Sequence, residues 1–309
     1  MNLYFAPLEG IGTYTYRNTH FECFGNCDYY FSPFITPTGN EKLSIKTMRD
    51  ILPINNTTPL KVQCLTNSVK GFLEFCDKIS SYGYDEVNLN LGCPSSTVVK
   101  KGRGAGALKD LETLKDFLDE IFKYVNIKVS VKSRVGFSSY DEFSEILNLF
   151  KNYPFSEIII HPRVREDYYK GSVNLDTYHL IYSDIKTTLC YNGDITSKED
   201  YENIINKFPK TDNIMIGRGA IKNPAIFREI KGGEKLKTKE IIDFSKKLEE
   251  KYMVLLESDT YTLHKLKEIW LYMIQNYPDE TKILKAIKKS TKLAQLNGAI
   301  EYLGEIKEI

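Results

Sequence analysis

Hydrophobic residues fall into short runs separated by polar segments, and eight of these runs predict β-strands. Val129 and Val131 alternate with polar residues, whereas residues 158–160 form a continuous isoleucine run of the kind found in strands buried on both faces. The predicted strands are Leu3–Ala6, Tyr29–Ser32, Leu60–Leu65, Glu86–Leu91, Ile127–Lys132, Glu157–His161, Thr187–Tyr191 and Asn213–Ile216.

Amphipathic helical spacing separates several of these strands. Residues 73–82 and, more clearly, residues 114–122 have hydrophobic side chains three and four positions apart. Repeated strand–helix alternation predicts an α/β fold, a (β/α)8 TIM barrel closed on itself. The link after the second strand is the exception, because residues 36–40 have the composition of a loop.

The pattern changes after Ile230, and no strand is predicted from Thr238 onward. Residues 231–234 predict a flexible hinge, and the hydrophobic positions of 241–256 and 263–274 each predict a helix. We therefore expect a TIM-barrel catalytic domain over residues 1–235 and a small all-α domain over residues 236–309.

Composition narrows the function classes. The hydrophobic fraction of 42% is that of a globular protein, and no apolar run is long enough to span a bilayer. The 42 basic and 41 acidic residues leave a net charge of +1, so an RNA partner requires a local basic patch. The N-terminus lacks an export-type stretch, and no cysteine pair has zinc-site spacing. We expect a cytoplasmic protein without a metal site or membrane attachment.

Candidate chemistry lies where the predicted strands end, because the active sites of TIM barrels form at that rim. Residues 192–194 and 217–219 are glycine-containing loops suited to a phosphate, with Arg218 as a second contact and a following helix directed at it. The alternative for Asn192–Asp194 is a plain turn.

Lys132 and His161 end adjacent predicted strands and point inward. A cation at this place would stabilise negative charge on an electron-rich ring such as a reduced flavin. The alternative for His161 is an ordinary core histidine, which is a weaker alternative for Lys132 because a buried lysine needs a partner.

Cys93 lies between Gly92 and Pro94, ahead of a glycine-rich basic segment, residues 100–107, that we expect to be mobile. A thiol there can act as a nucleophile or as a proton donor, and the alternative is a buried or chance surface cysteine.

A lysine stripe near the C-terminus is the candidate RNA patch. Lys285, Lys288, Lys289 and Lys292 are predicted to share one helix face opposite Ile283, Ile287 and Ala294, and Lys265 and Lys267 could extend it. Such a stripe can also be ordinary solvated surface.

These segments together resemble the tRNA-dihydrouridine synthases, in particular the short bacterial type with a C-terminal helical domain. The resemblance covers nearly the whole chain, and its motifs follow one another in the family's order. The motifs are Ala6–Gly10 with Arg17, Leu89–Pro94, Gly102–Gly106, Val131–Gly136, His161–Arg163, Asn192–Ile195 and Met215–Gly219.

The resemblance implies an FMN-dependent oxidoreductase that reduces the C5=C6 bond of a uridine in tRNA. NADPH or NADH would reduce the flavin, hydride would pass from flavin N5 to uracil C6, and Cys93 would protonate C5. Asn90, Arg134 and Arg163 would face the extruded uridine, and no protein partner is required. FMN would be held by Pro7, Leu8, Glu9, Gln63, Lys132 and His161, and at its phosphate by Asn192, Gly193, Asp194, Gly217 and Arg218.

Pro162, Val164, Ser133 and Tyr191 depart from the family's usual residues, which leaves the target uridine open. Three alternatives also stay open: a dihydroorotate dehydrogenase-like flavoprotein acting on a free small molecule, an RNA-binding protein with a vestigial flavin site, and a phosphate-binding aldolase- or isomerase-type barrel.

Overall fold

Eight parallel strands form a closed barrel in the computed structural model, which describes residues 1–37 and 44–308. Each strand pairs with the next, and β8 returns to pair with β1. The predicted TIM barrel is therefore confirmed. The strands are β1 (Asn2–Phe5), β2 (Tyr29–Phe31), β3 (Leu60–Cys64), β4 (Glu86–Leu91), β5 (Lys128–Gly136), β6 (Glu157–Val164), β7 (Thr188–Asn192) and β8 (Asn213–Ile216).

Strands β5 and β6 continue beyond their predicted ends. Arg134 pairs with His161, and Gly136 pairs with Val164 after a register shift. The prediction ended both strands too early because Ser133, Arg134 and Arg163 have loop-like polarity. All three side chains are buried with their polar atoms hydrogen-bonded: Ser133 donates to the carbonyl of the next residue, Arg134 to the Val164 carbonyl and Arg163 to the Gly171 carbonyl.

Helices cover the outside of the barrel. The two predicted amphipathic helices are present, and the prediction missed the helix at residues 45–51. Thr36 and Pro37 lie outside any helix or strand, and residues 38–40 of the predicted loop lie outside the described residues. The helices of the barrel are α1 (Tyr14–Phe24), α2 (Ile45–Ile51), α3 (Val69–Ser80), α4 (Ser96–Val99), α5 (Leu111–Tyr124), α6 (Phe143–Phe150), α7 (Leu175–Asp184), α8 (Lys198–Lys207), α9 (Arg218–Lys222) and α10 (Ile226–Ile230).

The barrel interior is filled from floor to mouth by inward-facing side chains. An apolar layer contains Tyr4, Ala6, Phe31, Ile159, Cys190 and Met215. At the floor, Lys61 contacts the carboxylates of both Glu86 and Glu157, at 3.1 and 3.2 Å. The side chains at the opposite end of the strands line an open cavity, so the barrel is closed below and accessible above.

In the part of the chain that the structure describes, four helices follow the barrel: α11 (Thr238–Leu256), α12 (Asp259–Met273), α13 (Thr281–Lys289) and α14 (Leu293–Ile306). Packing of α11 against α1 brings Phe244 into ring contact with Tyr16, His20 and Phe24. The segment predicted as a flexible hinge is held by Arg228, which donates to the carbonyls of residues 234 and 235 and to the Glu240 carboxylate. The helices are thus anchored directly to the barrel.

Candidate active site

A cavity of about 610 Å³ opens at the carboxyl ends of the barrel strands. Its volume lies in the range of cofactor and ligand pockets. Most of the predicted rim residues lie in its wall. These are Pro7, Leu8, Glu9, Gln63, Asn90, Cys93, Lys132, Arg134, His161, Asn192, Gly193, Asp194, Gly217 and Arg218. The ends of the predicted strands were therefore enough to locate this cavity, because a barrel of parallel strands brings all their carboxyl ends to one rim.

The Cys93 segment is fixed by the side chain of Asn90. Asn90 Oδ1 accepts hydrogen bonds from the backbone N–H groups of Gly92 and Cys93, at 3.0 and 2.9 Å. Ala105 N–H donates to the Cys93 carbonyl, and any side chain at Gly104 would come within 2.9 Å of that same oxygen. The expectation that residues 100–107 are mobile is wrong from Gly104 onward, since this part is buried against Cys93.

The Cys93 thiol is suited to donate a proton. Burial raises the pKa of this thiol above its ordinary value, while a backbone N–H of Ser95 partly opposes the shift. The side chain is half-buried and lines the cavity. A neutral thiol at the cavity wall favours acid catalysis over nucleophilic attack, which requires the thiolate.

Lys132 places a positive charge in the cavity wall. Burial, followed by the neighbouring Arg134, lowers the pKa of the Lys132 ammonium to about 8, so it remains mostly charged at neutral pH. Among the described residues no acidic group or hydrogen-bond acceptor pairs with its Nζ. A charged amine without a protein partner in a cavity is typical of a group that meets an anionic ligand.

His161 is neutral in this structure. Burial and the surrounding cations, Arg134 first, lower the pKa of its imidazole well below the ordinary value. Arg163 donates to His161 Nε2 at 3.1 Å, so the imidazole carries its hydrogen on Nδ1. Of the two residues at which the sequence predicts a cation, Lys132 is therefore the charged one, and His161 presents a neutral polar ring.

Arg134 and Arg163 both bind other parts of the protein through their guanidinium groups, and of the two only Arg134 also lines the cavity. Arg134 donates to the carbonyls of Gly92, Val164 and Tyr168, at 3.1, 2.7 and 2.6 Å. Arg163 binds the carboxylate of Asp194 as well as His161, and it does not line the cavity. That both arginines face the substrate stays a prediction; in this structure their N–H groups donate to residues around the rim of the cavity.

The two loops predicted to bind phosphate lie side by side. Asn192 Nδ2 donates to the Met215 carbonyl at 2.8 Å, and the Ile195 carbonyl lies where a side chain on Gly219 would be. Within residues 1–37 and 44–308, no acceptor meets the backbone N–H groups of Gly193 and Asp194. These free donors and the half-exposed Arg218 suit an anion. The Asp194 carboxylate instead pairs with Arg163 and Arg218, and the helix that follows, α9, has only five residues.

Residues of the C-terminal helices close one side of the cavity, which the sequence did not indicate. Glu268, Tyr272 and Gln275 line it, and Lys265 donates to the Gly10 carbonyl at 2.7 Å.

Tyr169, which the sequence analysis also missed, lies at the mouth of the cavity. The guanidinium groups of Arg134 and Arg218 lie over its ring, at 5.4 and 4.6 Å from the ring centroid. No sequence period marks these residues, because their neighbours in space are far away along the chain.

The lysine stripe differs from its prediction. Helix α13 ends at Lys289, so Lys292 precedes the next helix, and Ala294 is exposed rather than buried. The prediction of one continuous helix was wrong because Ser290 and Thr291 break it. Lys267 donates to the carbonyls of Lys288 and Ser290 and thus caps α13, while Lys265 donates to the Gly10 carbonyl, so that an extension of the stripe by these two lysines stays a prediction. Lys285, Lys288 and Lys289 are exposed and lack acidic partners in the described part of the chain.

Comparison with known proteins identifies the family. The family model described as "Dihydrouridine synthase (Dus)" matches residues 4–306. This chain belongs to the dihydrouridine synthase family. It is 26% identical to tRNA-dihydrouridine(16) synthase of Salmonella typhimurium, an alignment covering 98% of this chain and 99% of that protein. It is 30% identical to tRNA-dihydrouridine synthase B of Pasteurella multocida, but there the alignment covers 57% of this chain and only 52% of that relative.

Solved structures agree on the barrel. A variant of NCR from Zymomonas mobilis superposes with a TM-score of 0.54 at 13% identity, covering 76% of this chain and 88% of that chain. Morphinone reductase gives 0.53 at 8% identity, with 76% and 86% covered. At such identities the likeness concerns the fold alone.

No helix among the described residues has the length and apolar character needed to cross a bilayer.

Proposed function

We propose that this protein reduces the C5=C6 bond of a uridine in tRNA, with FMN as cofactor and NADPH or NADH as reductant. One observation carries the proposal: one cavity in a chain of the dihydrouridine synthase family contains a neutral thiol, the Lys132 ammonium and, beside an arginine, backbone N–H groups, and neither the ammonium nor these N–H groups have a partner among the described residues. A flavin mononucleotide combines the two features that these groups suit, an electron-rich ring and a phosphate.

The residues of the cavity fit FMN. Lys132, His161 and Gln63 would contact the ring, while Pro7, Leu8 and Glu9 would border it. Gly193, Asp194 and Gly217 would offer backbone groups near the phosphate, with Asn192 holding their loop and Arg218 adding charge. Bound FMN would supply the hydride that adds to C6 of the uracil ring.

Cys93 would give the proton. Addition of hydride at C6 leaves negative charge at C5 and the O4 carbonyl, and C5 must then be protonated. The raised pKa of the thiol keeps its proton available at neutral pH. Asn90, Arg134 and Arg163 would act by fixing the wall around Cys93 and His161, and Tyr169 offers an aromatic ring at the mouth.

The C-terminal helices would form a separate RNA-binding domain over residues 236–309. Lys285, Lys288, Lys289 and Lys292 supply local positive charge in a chain whose net charge is close to zero. Helix α12 also reaches the cavity, so RNA held by these helices would lie beside the reacting base. We expect the protein to act in the cytoplasm without a protein partner.

Deletion of the gene and mass spectrometry of the cellular tRNA test the proposal. The expected result is loss of one dihydrouridine, restored by the wild-type protein and not by Cys93→Ala. The proposal would be refuted if the deletion strain kept every dihydrouridine and the purified protein bound no FMN. Binding of FMN without any change in tRNA would favour a small-molecule dehydrogenase instead.

A further inference from the structure

A chain of hydrogen bonds runs inside the barrel from the Cys93 segment at the mouth to Glu86 at the floor. The strand register creates it, because Gln63 pairs with Asn88 and Asn88 pairs with Ser130 across neighbouring strands. We call this chain of hydrogen bonds the relay. Its side chains are all buried or nearly so, and they belong to Asn90, Gln63, Asn88, Ser130 and Glu86.

All donors in the relay point the same way. Cys93 N–H donates to Asn90 Oδ1, and Asn90 Nδ2 donates to Gln63 Oε1 at 2.7 Å. Gln63 Nε2 donates to Asn88 Oδ1 at 2.7 Å, and Asn88 Nδ2 donates to Ser130 Oγ at 2.9 Å. The Ser130 hydroxyl then donates to Glu86 Oε1 at 2.7 Å.

The two ends of the relay set this direction. A backbone N–H can only donate, and the Glu86 carboxylate, held by Lys61 at 3.1 Å, can only accept. Reversing any one amide would place two donors or two acceptors against each other at its neighbours, which is costly in a buried site. The amide of Gln63 therefore has one orientation: its oxygen accepts from Asn90, its nitrogen donates to Asn88, and its second N–H has no partner among the described residues.

We propose that Asn88 and Ser130 are positioning residues that fix the Gln63 amide in one orientation beside the ring bound in the cavity, with its nitrogen as a hydrogen-bond donor to that ring. This rests on the proposed flavin site and deepens it. The remaining N–H of Gln63 and the Lys132 ammonium would then both suit carbonyl oxygens and unprotonated nitrogens of the ring.

FMN binding by the apoprotein tests the proposal without turnover. We expect Asn88→Ala to weaken FMN binding roughly tenfold and Ser130→Ala roughly threefold, the scale of one disturbed hydrogen bond. The absorption bands of the bound flavin should shift in both variants. Because Ser130 acts only through Asn88, the double variant should bind FMN as Asn88→Ala does, and not more weakly.

Ser133→Ala is the matched control. Ser133 lies on the same strand and is equally buried, but its hydroxyl donates to the Arg134 carbonyl outside the relay. It should leave FMN affinity and spectrum unchanged. Should Asn88→Ala not fold, Ser130→Ala measured against Ser133→Ala decides the question.

Wild-type affinity and spectrum in Ser130→Ala would overturn the relay, and so would additive losses in the double variant. Failure of the proposed function looks different, because the wild-type apoprotein itself would then bind no FMN.

Discussion

The pH dependence of cofactor binding gives a direct test of the cavity electrostatics. The lowered pKa of Lys132, about 8, means that roughly nine-tenths of these side chains are charged at pH 7 and roughly one-tenth at pH 9. If only the ammonium form binds the anionic cofactor well, the dissociation constant for FMN should rise roughly tenfold over this interval. The dissociation constant rises with pH because Lys132 of the free protein loses its proton above its lowered pKa.

Lys132→Arg should remove most of this dependence, because a guanidinium stays charged throughout the range. Fluorescence titration of apoprotein with FMN in buffers from pH 6.5 to 9.5 measures the effect. Lys128→Arg is the control, since Lys128 begins the same strand but pairs with Asp85 at the surface. The reasoning is refuted if wild-type affinity is flat between pH 7 and pH 9, or if Lys132→Arg weakens in parallel with it.

Three further changes probe other parts of the site. Cys93→Ala should slow uridine reduction at least roughly a hundredfold while FMN reduction by NADPH stays normal in stopped-flow traces; equal turnover would exclude the acid role. Arg134→Lys should lower stability by about 2–4 kcal/mol in urea denaturation, because an ammonium cannot reach three diverging carbonyls; an unchanged midpoint would contradict that packing. Replacing Lys285, Lys288 and Lys289 by glutamate should weaken tRNA binding and flatten its salt dependence, and a filter-binding slope equal to wild type would show that these lysines do not contact RNA.

Strand number and barrel closure could be read from the sequence because each buried strand leaves a short apolar run. Strand ends could not, since the inner polar residues of β5 resemble a loop until their partners are known. Arg134 illustrates this: its three acceptors come from the ends of three different segments, and nothing local to residue 134 indicates them.

Most of the candidate site was likewise predictable, because TIM-barrel topology brings the strand ends together. The sequence did not predict the orientation of side chains or the contacts between residues that lie far apart along the chain. Lys265 and Lys267 carry the same local signal as a solvated lysine, although one contacts Gly10 and the other caps α13. The wall formed by Glu268, Tyr272 and Gln275 was missed because only the packing of α12 on the barrel creates it.

The wall formed by these residues of the C-terminal region has a consequence for how the protein can evolve. Because α12 forms part of the cavity wall and Lys265 donates to the Gly10 carbonyl after β1, a chimera that joins this barrel to the C-terminal helices of a relative would change the cavity as well as the exposed lysines of those helices. If the helices bind RNA as proposed, mutations that alter RNA binding would therefore also alter the cavity, and the barrel and the helices would have to evolve together.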